Sequence, residues 1–173
     1  MGVFQIDATD FQWINGDADD PEDLCLHGNV KAVIGEETFE FDGTVSASAL
    51  YLLKTLTQDH RAGEDNQMIP CCGFFLIANV DLTEVIISGC PYGIDWTVEH
   101  VSDGVKITTE SGHVTRVPMP AYKEEVLRFA DKVEAYYKKC SPKKLPKDKF
   151  DRNGYLAFWN EWHRRYNDAE YGN

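Results

Sequence analysis

The periodicity of this chain changes once, near Pro118, and that change limits its fold more than any motif does. Ahead of it, Leu24, Leu26, Val30, Ala32 and Ile34 alternate with Cys25, His27, Asn29 and Lys31. This is the pattern of a strand with one buried face. Beyond it, Val126, Phe129, Val133, Tyr137 and Cys140 fall at helical spacing in "YKEEVLRFADKVEAYYKKC". Pro142 and Pro146 break that helix. Tyr155, Phe158, Trp159, Trp162 and Tyr166 then crowd one side of a last helix in "GYLAFWNEWHRRY", with Asp151 or Asn153 as its expected cap. Strands followed by helices argue for an α+β fold. The expected form is an antiparallel β-meander sheet with one internal helix and two C-terminal helices packed mainly on one face. The 173 residues contain no internal repeat and no Gly/Ser linker. Residues 1–173 are therefore read as a single domain, a β-rich body of about 1–119 and a helical pair of about 120–168.

Within the body, "VFQID" and "DFQWI" read as two short strands ahead of the acidic loop "NGDADDPED". A two-residue turn at Glu36-Glu37 is expected to set Ile34 opposite Phe39 and Ala32 opposite Phe41, which puts both apolar sets on one face. "SASALYLLKTLTQDH" reads as a helix with Ser46 as N-cap and Ala49, Leu50, Leu53 and Leu56 on its buried stripe. The polar loop "RAGEDNQ" ends it. "FFLIANV" and "EVIIS" follow as buried runs joined by "DLT", with Cys72, Phe74, Leu76, Ala78 and Val80 on the core side. Asp103-Gly104 and "SGH" then turn three further strands, with Val117 opposite Ile107 and Met119 opposite Val105. About five strands are expected after the first helix.

The charge is lopsided. Residues 1–110 hold 20 Asp and Glu against 4 Lys and Arg, and residues 111–173 hold 9 against 13, so −16 and +4 combine to the net −12. Such a surface repels nucleic acid and anionic lipid and favours a basic protein partner. The loop residues Asp17, Asp19, Asp20, Glu22 and Asp23 are the first candidates for that contact. They lack the glycine and closing glutamate of an EF-hand, so calcium is not expected. The lysines between the last two helices read as a solvated linker that can also pair with the chain's own acidic face.

The opening "MGVFQIDATDFQWINGDADD" has no basic-then-apolar leader. The most apolar run, Cys71 to Ala78, falls far short of the ~20 residues of a membrane span. With five cysteines, an odd number, these features point to reduced thiols in a cytoplasm.

"IPCCGFF" and "SGCPYGIDW" carry the remaining candidates. Folding back at "DLT" is expected to bring Cys90 opposite Phe74 or Phe75, so that Cys71, Cys72 and Cys90 become neighbours at the open end of a hairpin. They are the alternative metal or thiol site, yet they lack the paired spacing of a structural zinc site. Cys25 and His27, on a neighbouring strand, are expected to face away from the core. Gly89, Pro91 and Gly93 mark a bend that can bring Tyr92 and Asp95 to a cleft shared with "EDNQMIP". His60, His100 and His163 have no nucleophile beside them in sequence, and no hydrolase, zincin, P-loop or dinucleotide fingerprint is present. The expectation is a non-enzymatic protein-binding module without a cofactor. In composition and architecture the chain is similar to bacterial toxin-neutralising immunity proteins, which implies binding to a protein and carries no residue over.

Overall fold

The structure is a computed structural model that describes residues 3–64, 66–73 and 75–172. Phe74, expected on the core side, and Asp65, in the polar loop, lie outside the described residues.

The strands β1 (Phe4–Gln12), β2 (His27–Ile34) and β3 (Glu37–Thr44) form an antiparallel sheet in the order β1-β2-β3. "VFQID" and "DFQWI" are one strand rather than two. A bulge between Thr9 and Gln12, with Asp10 at φ 53°, bends it without ending the pairing. The β2–β3 turn is Gly35-Glu36, one residue earlier than expected, because Gly35 supplies the positive φ of 63° that a tight hairpin needs. Ala32 therefore faces Phe39 and Val30 faces Phe41. The register differs from expectation by two residues, which leaves every side chain on the face assigned to it.

The helix α1 (Val45–Lys54) follows directly. Thr44 takes the cap position, while the Ser46 hydroxyl accepts the Leu26 N–H at 3.2 Å. Val45 to Leu53 are all buried, so there is no polar face opposite the expected stripe. The helix runs through the core between β2, β4 (Ile69–Pro70) and the two later helices.

The strands after α1 do not join into one meander. β5 (Phe75–Ala78) and β6 (Val85–Ser88) form an isolated ribbon, and β4 pairs with β7 (Gly93–Ile94). β8 (Trp96–Val101), β9 (Gly104–Thr109) and β10 (Val114–Pro118) form a separate three-stranded sheet. The Gly/Pro-rich stretch 89–93 separates the ribbon from that sheet. Val117 faces Val105, again two residues from the expected partner, since the turn is centred one residue earlier, with Thr109 and His113 closing it around Glu110-Ser111-Gly112, and Met119 already belongs to α2 (Met119–Lys139).

The last helix, α3 (Lys149–Tyr171), starts before "GYLAF". Asp148, not Asp151 or Asn153, is its cap and accepts the N–H groups of Phe150 and Asp151. α2 lies along the free edge of β1: Glu125 accepts the Ile6 N–H at 3.4 Å and Arg128 donates to the Ile6 carbonyl at 2.5 Å. A strand edge that would otherwise invite pairing is thereby closed with side chains. One core runs from Phe4 to Trp162, with Trp13, Trp96 and Trp162 fully buried. Among the described residues, no helix is long and apolar enough to cross a membrane.

Candidate functional site

The acidic loop is engaged with its own chain. The Asp19 carboxylate accepts both the hydroxyl (2.7 Å) and the N–H (3.1 Å) of Ser141, which, the hydroxyl first, hold it below the usual carboxylate range. Lys143 donates to the Asp20 carbonyl at 2.5 Å and sits 3.0 Å from the centre of the Trp13 ring, while Lys144 reaches Glu22 at 3.3 Å. Asp23 accepts the N–H groups of Ile14 and Cys25. Asp17 accepts from the Asn15 amide at 3.2 Å. The α2–α3 linker thus folds back on the loop.

Cys71, Cys72 and Cys90 come together at the open end of the β5–β6 ribbon as expected, but not in the expected register: Phe75 pairs with Ser88, so Cys90 lies beyond the ladder and meets Cys72. The Cys90 N–H donates to the Cys72 sulfur at 2.9 Å, and the Cys71 N–H donates to the Tyr92 carbonyl at 2.9 Å. The three thiols are close enough for each to shift the titration of the others. Donation from Cys72, then Cys71, holds the Cys90 thiol below its ordinary range. Giving its hydrogen bond to Cys90 pushes Cys71 up, and burial pushes Cys72 up. Cys25 departs from expectation. β2 begins only at His27, so Cys25 lies in the irregular approach, buried with its sulfur 3.5 Å from the Gly73 carbonyl, and burial pushes its thiol up to about 12. Among the described residues, no group of three or more His, Cys, Asp or Glu is arranged to hold a metal ion.

The bend after Cys90 sends Tyr92 and Asp95 in opposite directions. Tyr92 stands 70% exposed, whereas Asp95 is 4% exposed. Asp95 does meet "EDNQMIP", as an anchor. It accepts the N–H groups of Gly63 (3.2 Å), Met68 (3.2 Å) and Trp96 (2.9 Å), and its Oδ1 lies 2.8 Å from His60 Nε2. A carboxylate with that many donors is a structural keystone for the 60–68 segment.

Sequence reasoning missed the ion cluster beneath the ribbon. Glu161 is fully buried; one carboxylate oxygen accepts the Val85 N–H at 2.8 Å, and the other lies 2.7 Å from Arg165 Nε and 3.4 Å from Lys54 Nζ. Lys54 also donates to the Val85 carbonyl at 2.9 Å, and burial, opposed by Glu161, lowers its pKa. Tyr51 and Asn66 donate to the Ile87 carbonyl. These groups close the outer edge of β6 as α2 closes that of β1. A cleft of about 220 Å³ opens beside them, lined by Tyr51, Lys54, Asp59, His60, Asn66 and Ile86 among others. Much of its polar lining is engaged with the chain itself: Asp59, for example, accepts both the N–H and the ring N–H of His100 at 2.8 Å. Only spacing of α-helical and β periodicity was available beforehand, and it cannot show a carboxylate meeting a strand 76 residues away.

The outward face of the ribbon was expected to be buried and is not. Ile77 and Ile86 are directly paired across the strands and stand 39% and 64% exposed, with Phe75 beside them at 52%. Val80, expected in the core, is at the exposed ribbon tip. Leu76 keeps its expected place inside, because α3 covers only that side. Comparison with protein-family models, with curated proteins and with solved structures finds no match for the chain.

Proposed function

We propose that this protein is a non-enzymatic binding module that grips a basic protein through the outward face of the β5–β6 ribbon. One observation carries the reading: an apolar cross-strand patch, Phe75, Ile77 and Ile86, stands in the open on a chain of net charge −12. Large apolar side chains grouped on a surface mark contact sites more often than scattered ones do. Asp59, although its carboxylate is engaged by His100, lines the same cleft as Ile86, so the surroundings of the patch are acidic. The expected occupant therefore combines a hydrophobic anchor with lysine or arginine around it. The acidic loop takes a lesser part, because Asp19, Asp20 and Glu22 already meet residues 141–144.

The test compares affinity capture by the native protein and by Ile86→Lys, each first shown to be folded by circular dichroism. A basic polypeptide retained by the native protein and lost by the variant supports the reading. Its association rate should fall steeply between low and physiological salt, where exposed charges are screened beyond ~8 Å. Capture unchanged by Ile86→Lys, or retention of acidic proteins only, overturns it.

A further inference from the structure

We propose that Cys90 and Cys72 form a redox-active dithiol that reduces a hydroperoxide and closes to an intramolecular disulfide. This stands apart from the partner-binding reading and rests on the geometry of the ribbon's open end. The Cys72 sulfur already takes the Cys90 N–H at 2.9 Å. Adding the N–Cα bond of ~1.5 Å places it at most ~4.4 Å from the Cys90 Cα. Gly89 allows this approach: a Cβ there would lie 2.1 Å from the Cys72 carbonyl oxygen and 3.1 Å from its sulfur. That separation is within the reach of a disulfide, so the sulfurs can be joined with little movement of the backbone.

The three cysteines occupy different situations. The neighbouring Cys72 and then Cys71 thiols hold the Cys90 thiol below its ordinary range, the condition that favours a thiolate, while the Cys90 N–H is already fixed on the Cys72 sulfur. Cys72 stays a thiol against it, in the position of a resolving residue. Cys71, pushed up by its neighbour Cys90, stays a thiol beside the nucleophile. The Cys90 thiolate attacks the terminal peroxide oxygen, the O–O bond breaks, and hydroxide (or alkoxide, from an organic hydroperoxide) leaves and takes a solvent proton to become water (or alcohol). Cys90 is then a sulfenic acid. The Cys72 sulfur attacks the Cys90 sulfur, the S–O bond breaks, and the departing hydroxyl takes the Cys72 proton and leaves as water. Two thiols lose two electrons and two protons, and the peroxide takes both.

The experiment treats the full chain at pH 7 with equimolar hydrogen peroxide, then maps disulfides by mass spectrometry without reduction. The expected product is a Cys72–Cys90 bridge that dithiothreitol reverses. Cys90→Ser should abolish it, Cys72→Ser should leave a Cys90 sulfenic acid that dimedone traps, and Cys71→Ser should keep the bridge. In the reduced native protein, Cys90 should react with iodoacetamide at least about threefold faster than Cys140. Circular dichroism identifies any variant that fails to fold, and the alkylation order in the native chain tests the nucleophile without a variant. A bridge to Cys71 instead, oxidation of Cys140 at an equal rate, or no bridge overturns the assignment.

Discussion

Replacing Glu161 by Ala removes the anion from a buried cluster and orphans a strand donor in the same step. Lys54 and Arg165, with side chains 24% and 6% exposed, would then face each other, and the Val85 N–H would lose its acceptor. An unsatisfied buried donor costs about 1–3 kcal/mol. Breaking a buried ion pair from one side costs about 3–5 kcal/mol. The two overlap because one carboxylate serves both, so the expected loss is about 3–5 kcal/mol. For a chain of this size that is a fall in Tm of roughly 6–20 °C. Glu161→Gln keeps an oxygen for the Val85 N–H and loses only the charge, so its loss should be smaller. The pH dependence has a definite sign. Burial lowers the Lys54 pKa, and without Glu161 only the weaker attraction of Glu84 opposes it. A folded-state pKa below the unfolded value makes the unfolded chain bind more protons, so stability rises with pH in that interval. The deficit of Glu161→Ala should therefore shrink between pH 7 and pH 10. Urea unfolding of both variants at the two pH values measures this. A loss below about 0.5 kcal/mol for Glu161→Ala, or a deficit that grows with pH, would refute the reasoning.

Trp162→Ala, at a fully buried site, should cost about 3–5 kcal/mol, and Trp159→Ala less, because Trp159 is partly buried against Tyr137 at 5.0 Å; denaturant unfolding beside light scattering also shows whether either change alters association. Gly154→Ala should destabilise by about 1–3 kcal/mol despite the better helix propensity of Ala, because its Cβ would lie 2.0 Å from the Leu76 carbonyl oxygen of β5; a raised Tm would contradict that contact. Asp59, held below the ordinary carboxylate range by the His100 N–H and then by its ring, should titrate by NMR below the usual value of ~3.9. Its contribution to stability is complete above that value and is lost as pH falls through the folded-state pKa, and Asp59→Asn should remove this dependence.

The faces of the strands were legible because alternation depends only on neighbours in sequence. Ile34, Phe39 and Phe41 kept their side of the sheet although the pairing shifted by two residues. The shift arose at the turn, where the backbone freedom of Gly35 outweighed the symmetry of Glu36-Glu37. The helices of the last third were legible for the same local reason, and the neighbourhood of Cys71, Cys72 and Cys90 followed from one hairpin. Burial of "FFLIANV" and "EVIIS" was misread because an apolar run does not say how many of its faces are covered. The ribbon has α3 on one side and solvent on the other. Glu161 and Asp95 were out of reach because their partners come from distant segments, and a buried carboxylate looks like any other acidic residue until those segments meet.

The closure of β6 by side chains sets a timetable for synthesis. Its inward hydrogen bonds to β5 are available as soon as the hairpin leaves the ribosome. The acceptor for the Val85 N–H is made 76 residues later. At about 5–20 residues per second, that leaves an interval of roughly 4–15 s. Throughout it, Lys54, Tyr51 and Asn66 are already present while the carboxylate that balances Lys54 is not. The nascent chain carries an open strand edge beside an apolar face for those seconds, the combination through which neighbouring chains on one messenger add to each other. Slow codons between Val85 and Glu161 should therefore lower the soluble yield, while the same codons placed after Tyr166 should not.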